Sequence, residues 1–149
     1  MIVIYHCYGG THSSVMTAAV HTGHLSTEGP PSNGDIKRLP YFDRMDGKDL
    51  GKLCYYGQDE KGNQVYIMGR KSFSESPEFV FRSLQKLYNA EQTYKLVNSA
   101  RTLNWQMKLG GYISRGLGYK RIGLPIVLWG ARKAYPWVVS LAESIKKEV

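Results

Sequence analysis

The sequence predicts an α/β protein, a three-layer sandwich with a mainly parallel sheet and an inserted hairpin, on three observations. A β-branched apolar run, Ile2 to Tyr5, is soon followed by an alanine-rich helical segment. Two short strand-like runs flank a turn-rich spacer in the middle of the chain. Strand and helix signals then alternate towards the C-terminus. With 149 residues, the chain suits a single domain, residues 1–149, long enough to bury a core without disulfide or metal support.

The elements follow in order. Ile2 to Tyr5 reads as a buried strand that stops at Tyr8-Gly9-Gly10. Thr11, His12 or Ser13 enters a helix running to Val20, and Gly23 suits its left-handed stop. Ser26 to Asp46 reads as a long ordered loop, rich in turn formers at its start and anchored by Leu39-Pro40-Tyr41-Phe42-Asp43. A short helix around Asp46 to Lys52 follows. Cys54 to Gln58 and Gln64 to Met68, separated by Asp59-Glu60-Lys61-Gly62-Asn63, suit a hairpin. Ser76-Pro77-Glu78 announces a helix: Ser as cap, Pro in the first turn, an acid near the positive end of the dipole. Val80, Leu84, Leu87 and Tyr88 give that helix a core-facing stripe. Tyr94 to Val97 reads as another strand, and Arg101 to Asn104 leads into a helix ending near Leu117. Pro125 to Trp129 reads as a later strand closed by Gly130, and a last helix spans Ala134 to Lys147 with Pro136 in its first turn.

Composition narrows the partners. The two cysteines, Cys7 and Cys54, make no disulfide framework, and no basic start with an apolar run marks a secretory signal, so a cytoplasmic location is expected. No apolar run approaches the ~20 residues that cross a bilayer. The net charge of +8 is unevenly placed. Residues 92–142 contain no Asp or Glu but eight basic side chains, while the rest of the chain carries 12 basic and 12 acidic residues and cancels. A phosphate-bearing or acidic partner would therefore be steered to the C-terminal third.

In open parallel sheets, ligands bind beyond the carboxyl ends of the strands. Three loops are expected there: His6 to Ser14, Asn98 to Asn104, and Trp129 to Lys133. The first offers amides, glycines and hydroxyls from Gly9, Gly10, Thr11, Ser13 and Ser14; the others offer Arg101, Arg132 and Lys133. Together they describe a pocket for a phosphate or carboxylate. Cys7, at the strand end, would face the amides of the helix N-terminus, which stabilise a thiolate and make it a candidate nucleophile. His6 and His12, if protonated, would add to that stabilisation. The absence of a Gly-Lys-Ser/Thr sequence excludes a Walker A loop.

The segment Cys7-Tyr8-Gly9-Gly10-Thr11-His12-Ser13-Ser14 resembles the phosphocysteine loop of sugar phosphotransferase IIB components, where a cysteine after the first strand precedes glycines and a Ser-Ser pair. It is also similar to the phosphate loop of low-molecular-weight tyrosine phosphatases, but Ser13 stands where their arginine would be, which argues against a phosphatase. At full length, His6-Cys7-Tyr8-Gly9-Gly10, Pro40-Tyr41-Phe42-Asp43, Ser99-Ala100-Arg101-Thr102-Leu103-Asn104 and Gly130-Ala131-Arg132 resemble a domain-of-unknown-function family of short proteins from endospore-forming Firmicutes. That resemblance implies a bacterial cytoplasmic protein of one domain and assigns no reaction.

A second surface comes from the 3.6-residue period of residues 103–117. Leu103, Met107, Gly110, Ser114 and Leu117 fall on one side; Arg101, Asn104, Trp105, Lys108, Tyr112 and Arg115 fall on the other. Basic residues interleaved with aromatics suit unpaired nucleic-acid bases or an anionic membrane surface, and equally a solvated helix face. No metal site and no cofactor are expected. His6 and Cys7 alternate to opposite faces of a strand, and His21 and His24 lie at the far end of the helix, where they read as solvated or capping groups. Asp43, Asp46 and Asp49 suit helix capping better than Mg²⁺. Three readings stay open: a binding protein or enzyme for a phosphorylated small molecule, a nucleic-acid or nucleotide-associated protein, and a non-catalytic structural or interaction protein. The sequence fixes no oligomeric state.

Overall fold

The computed structural model describes residues 1–73, 76–89 and 93–149. Strands β1 (Ile2–Cys7), β2 (Cys54–Gln58), β3 (Gln64–Gly69) and β4 (Tyr94–Asn98) form one sheet in the order β2-β3-β1-β4. β1 pairs in parallel with both β3 and β4, and β2 runs antiparallel to β3. The sheet is therefore mixed, with two parallel pairings and one antiparallel. The inserted hairpin joins through β3 and necessarily brings its antiparallel mate to the edge. Val3, Ile4 and Tyr5 are fully buried, as a central strand requires.

Helix α1 (Ser13–His21) is buried along its whole length, and Gly23 stops it with φ +75°. One core joins α1 to Val3, Tyr5, Val65, Ile67 and Val97 on the sheet and to the last helix. Inside the long loop lies a short helix the sequence reading missed, α2 (Asn33–Arg38), opened by a reciprocal capping box between Ser32 and Asp35. Asp46 and Asp49 cap a 3-10 turn at Gly47–Asp49, within the expected short helix.

Helix α3 (Ser76–Tyr88) starts where expected, although the side chain of Ser76, the expected cap, lies outside the described residues. Its stripe is a correction: Val80, Leu84, Leu87 and Tyr88 are exposed, and the helix instead meets β4 through Phe81, whose ring lies 5.3 Å from that of Tyr94. The apolar period was real, but it faces away from the sheet.

Helix α4 (Trp105–Gly111) continues into one π turn, Tyr112–Gly116, and α5 follows as a single helix, Lys120–Glu148. The expected strand at Pro125 to Trp129 does not exist. A short apolar run cannot be told from a buried helix segment by periodicity alone. Here Val127, Ala131, Ala134, Val138, Ala142 and Ile145 are buried at helical spacing straight through the expected break. Pro125 and Pro136 are tolerated inside α5 on its exposed side. The α4–α5 hairpin packs backbone to backbone. A Cβ on Gly110 would stand 2.6 Å from the Val127 amide nitrogen, and one on Gly123 would stand 2.3 Å from that of Ser114.

His21 is also a correction. It is fully buried rather than solvated, accepting from the Tyr5 hydroxyl at 2.5 Å and donating to Asp59 at 3.0 Å.

Candidate functional site

The β1–α1 loop begins at Cys7, which is buried. The Gly10 amide donates to its sulfur at 3.2 Å, and the Ser14 hydroxyl lies 3.3 Å from it. Gly10 has φ +71°, and a Cβ there would stand 2.5 Å from the Gly69 amide nitrogen. Glycine is thus required both for the left-handed turn and for the close approach to the end of β3. The Arg70 and Lys71 amides then donate to the carbonyls of Cys7 and Tyr8, tying the loop to the chain leaving β3.

Beyond the turn, α1 starts without a side-chain cap: His12 occupies the N-cap position and makes no capping bond. The first intrahelical bond runs from Met16 to His12, so the Ser13, Ser14 and Val15 amides have no acceptor among the described residues. The Ser13 hydroxyl, fully buried, has no partner either. Buried polar groups are nearly always satisfied, so a cluster of orphan donors at one helix N-terminus, where the dipole favours negative charge, has the chemistry of an anion cradle.

His12 is instead held from the side. Its Nε2 donates to Asp43 Oδ1 at 3.0 Å, and Ser114 donates to Asp43 Oδ2 at 2.8 Å. Burial pushes the Asp43 carboxyl up, but the hydrogen bonds from His12 and Ser114 and the charge of Arg115 outweigh it and hold the group below its ordinary value. The Nδ1 edge of the ring is turned towards Gly111. The supporting segment is strained: Tyr41 and Asp43 have φ +65° and +52°. It is pinned by buried Phe42 and by Thr11, whose hydroxyl donates to the Tyr41 carbonyl and accepts from the Arg44 and Met45 amides. Arg115 donates to the carbonyls of Asp43 and Met45. Strain over-determined in this way marks functional backbone. Sequence reasoning missed Asp43 as the His12 partner. The loop anchor around Phe42 was the available signal, because it fixes the same segment.

On the neighbouring strand ends, Arg70 donates to His6 Nδ1 at 2.8 Å and to Asn98 Oδ1 at 3.3 Å. His6 and Arg101 help line a cleft of about 730 Å³ with Leu141, Ile145 and Glu148 of α5. Burial and the Arg70 charge lower the His6 pKa to about 4, with Glu78 opposing. Burial also lowers that of His21, against the pull of Asp59. Both folded-state values lie below the unfolded one. Between pH 6.5 and about 4 the unfolded chain therefore takes up a proton that the folded His6 refuses. Stability is full above this window and falls as pH drops through it, by at most about 1.4 kcal/mol per pH unit for each histidine. Urea unfolding at neutral and mildly acidic pH should show that decline, with a shallower slope in His6→Gln. An acid-insensitive midpoint would contradict it.

The other expected site residues are distributed as follows. Gly10, Thr11, Ser13 and Ser14 are buried in the β1–α1 loop and the first turn of α1, and Gly9 is half-buried. Arg101 is exposed on the 3-10 turn Ser99–Thr102 after β4. No third loop joins them: Arg132 and Lys133 sit within α5, and the Lys133 ammonium lies 4.3 Å over the Trp129 ring. Trp105, Lys108 and Tyr112 do share an exposed face, whereas Leu117, expected on the buried side, is half exposed, and Arg115 turns inward to the Asp43 segment. No described helix is long and apolar enough to cross a membrane.

Neither the curated proteins nor the solved structures give a match to this chain. Residues 2–147 match the family described as "Protein of unknown function (DUF3189)", and the chain belongs to that family.

Proposed function

We propose that the chain binds a phosphate-bearing small molecule, or a like anion, in the β1–α1 loop. The observation that carries this reading is the uncapped α1 N-terminus, where three amides and the buried Ser13 hydroxyl lack acceptors. Gly9, Gly10, Thr11 and Ser14 shape the cradle, and Arg101 on the adjacent strand end supplies positive charge. In this reading Cys7 is the nucleophile of a phosphoryl transfer. Its sulfur would form a bond to phosphorus as the bond from phosphorus to the leaving oxygen breaks, and the phosphocysteine would pass its group to a second acceptor. His12, which directly precedes α1 and is held by Asp43, is taken in this reading as the group that moves the accompanying proton.

Titration with inorganic phosphate, followed by amide NMR, tests the binding step. Saturable shifts at Ser13, Ser14 and Val15, weakened roughly tenfold in Ser13→Ala and Arg101→Ala, are the expected outcome. Silence at those amides would remove the site and leave the loop as architecture. The transfer step is read separately by intact mass after exposure to a small phosphoryl donor: a phosphate adduct absent from Cys7→Ser supports it, and no adduct leaves binding alone.

A further inference from the structure

The outer face of the α4–α5 hairpin is unlike the rest of a solvated helical surface. Trp105, Tyr112, Tyr119 and Ile122 are 61–63% exposed, and Trp129 and Leu117 are about half exposed. The Trp105 and Trp129 rings meet edge to face at 6.2 Å, which places the outer sides of the two helices next to each other. Leu117, Tyr119 and Ile122 sit at the tip where the hairpin turns. Exposed apolar side chains gathered in this way along one hairpin mark an interaction site.

The patch is ringed by one sign of charge. Lys108 lies one turn from Trp105 and Tyr112, Lys120 and Arg121 flank Ile122 at the tip, and Lys133 rests on Trp129. No acid occurs between residues 92 and 142 of the sequence, and Asp43 and Asp49 lie on the Arg115 side of the π turn. A second copy of the chain would set like charges against each other, which disfavours self-association. Single-stranded nucleic acid would use the aromatics and cations, but bases stack on flat rings and gain little from Leu117, Ile122 or Leu109. An anionic lipid surface uses every component: aliphatic side chains enter the acyl boundary, Trp and Tyr settle at headgroup depth, and Lys and Arg meet lipid phosphates.

We propose that this face docks the protein on an anionic phospholipid surface, lying on the bilayer with the Leu117–Ile122 tip inserted. The exposed apolar face of α3 carries Lys86 and Arg82, the latter paired with Glu78 at 2.9 Å, and is not part of the proposal.

Flotation with vesicles of phosphatidylcholine alone, and of equal parts phosphatidylcholine and phosphatidylglycerol, tests it on the whole chain. The expected result is binding to the anionic vesicles only, reversed by salt, with a blue shift of tryptophan emission. Lys120→Ser with Arg121→Ser should weaken partitioning roughly 30-fold, about fivefold per cation. Leu117→Ser with Ile122→Ser should weaken it as well, with circular dichroism unchanged because all four side chains are exposed. Absence of binding to anionic vesicles at low salt overturns the proposal. So does binding that ignores the Leu117/Ile122 pair while a single-stranded oligonucleotide competes for the face, or a concentration-dependent dimer that buries the tryptophans.

Discussion

Replacing Asp59 by alanine should cost about 3–5 kcal/mol of stability, because it strands several buried donors at once. Asp59 Oδ1 accepts from the Lys61 and Asn63 amides at 2.9 and 2.8 Å, and Oδ2 accepts from Asn63 Nδ2 at 2.8 Å and His21 Nε2 at 3.0 Å. Burial would raise its pKa, but these bonds, led by the Asn63 side chain, outweigh that and bring it down to about 2. His21 in turn accepts from Tyr5, in the middle of β1, whose own hydroxyl is pushed up by burial and by the Asp59 charge. One carboxylate therefore ties the central strand, the end of α1 and the β2–β3 turn together. Urea denaturation checks the figure. Asp59→Asn, which keeps an acceptor oxygen, should lose less than alanine, and an alanine loss below about 1 kcal/mol would mean the network is not coupled to folding.

Gly123→Ala should cost about 2–4 kcal/mol, for the opposite reason: too much matter rather than too few partners. The added Cβ would lie 2.3 Å from the Ser114 amide nitrogen and 2.6 Å from the Gly110 carbonyl oxygen, both backbone atoms that no rotamer change can move aside. Relief must come from separating α5 from the π turn. That turn carries Ser114 and Arg115, which hold the Asp43 segment that orients His12. The expected signature is thus a lowered thermal midpoint together with altered His12 ring resonances. A stability loss with His12 unmoved would show that hairpin and site are mechanically separate.

Much of this architecture can be read from local chemistry. Ile2 to Tyr5, the α1 entry and the Gly23 stop were legible because each depends on residues close in sequence. So was the hairpin, bracketed by a turn that Gly62 completes with φ +85°. What could not be read was decided by partners remote in the chain. The Pro125 to Trp129 segment fits a strand locally; only the buried spacing on either side, packed against Gly110 and α1, makes it helix. The α3 stripe is periodic, but period alone does not say which face meets a sheet. At the candidate site, Cys7 and the glycine turn were visible as a motif. The His12–Asp43–Ser114 chain was not, since its members lie 31 and 71 residues apart.

Because Pro125 to Trp129 is helix, no fifth strand closes the sheet among the described residues, and β4 lies at its margin. Unpaired strand edges invite another chain to add on, the first step towards aggregation. Both margins are blunted here. On β2 the ladder slips out of register between Tyr55 and Gly57, which twists that border away from a flat template. On β4, Lys95 is clamped at 2.6 Å to Glu148 from the end of α5, so an incoming strand would have to displace an ion pair. The long C-terminal helix therefore also guards the sheet against strand addition at β4.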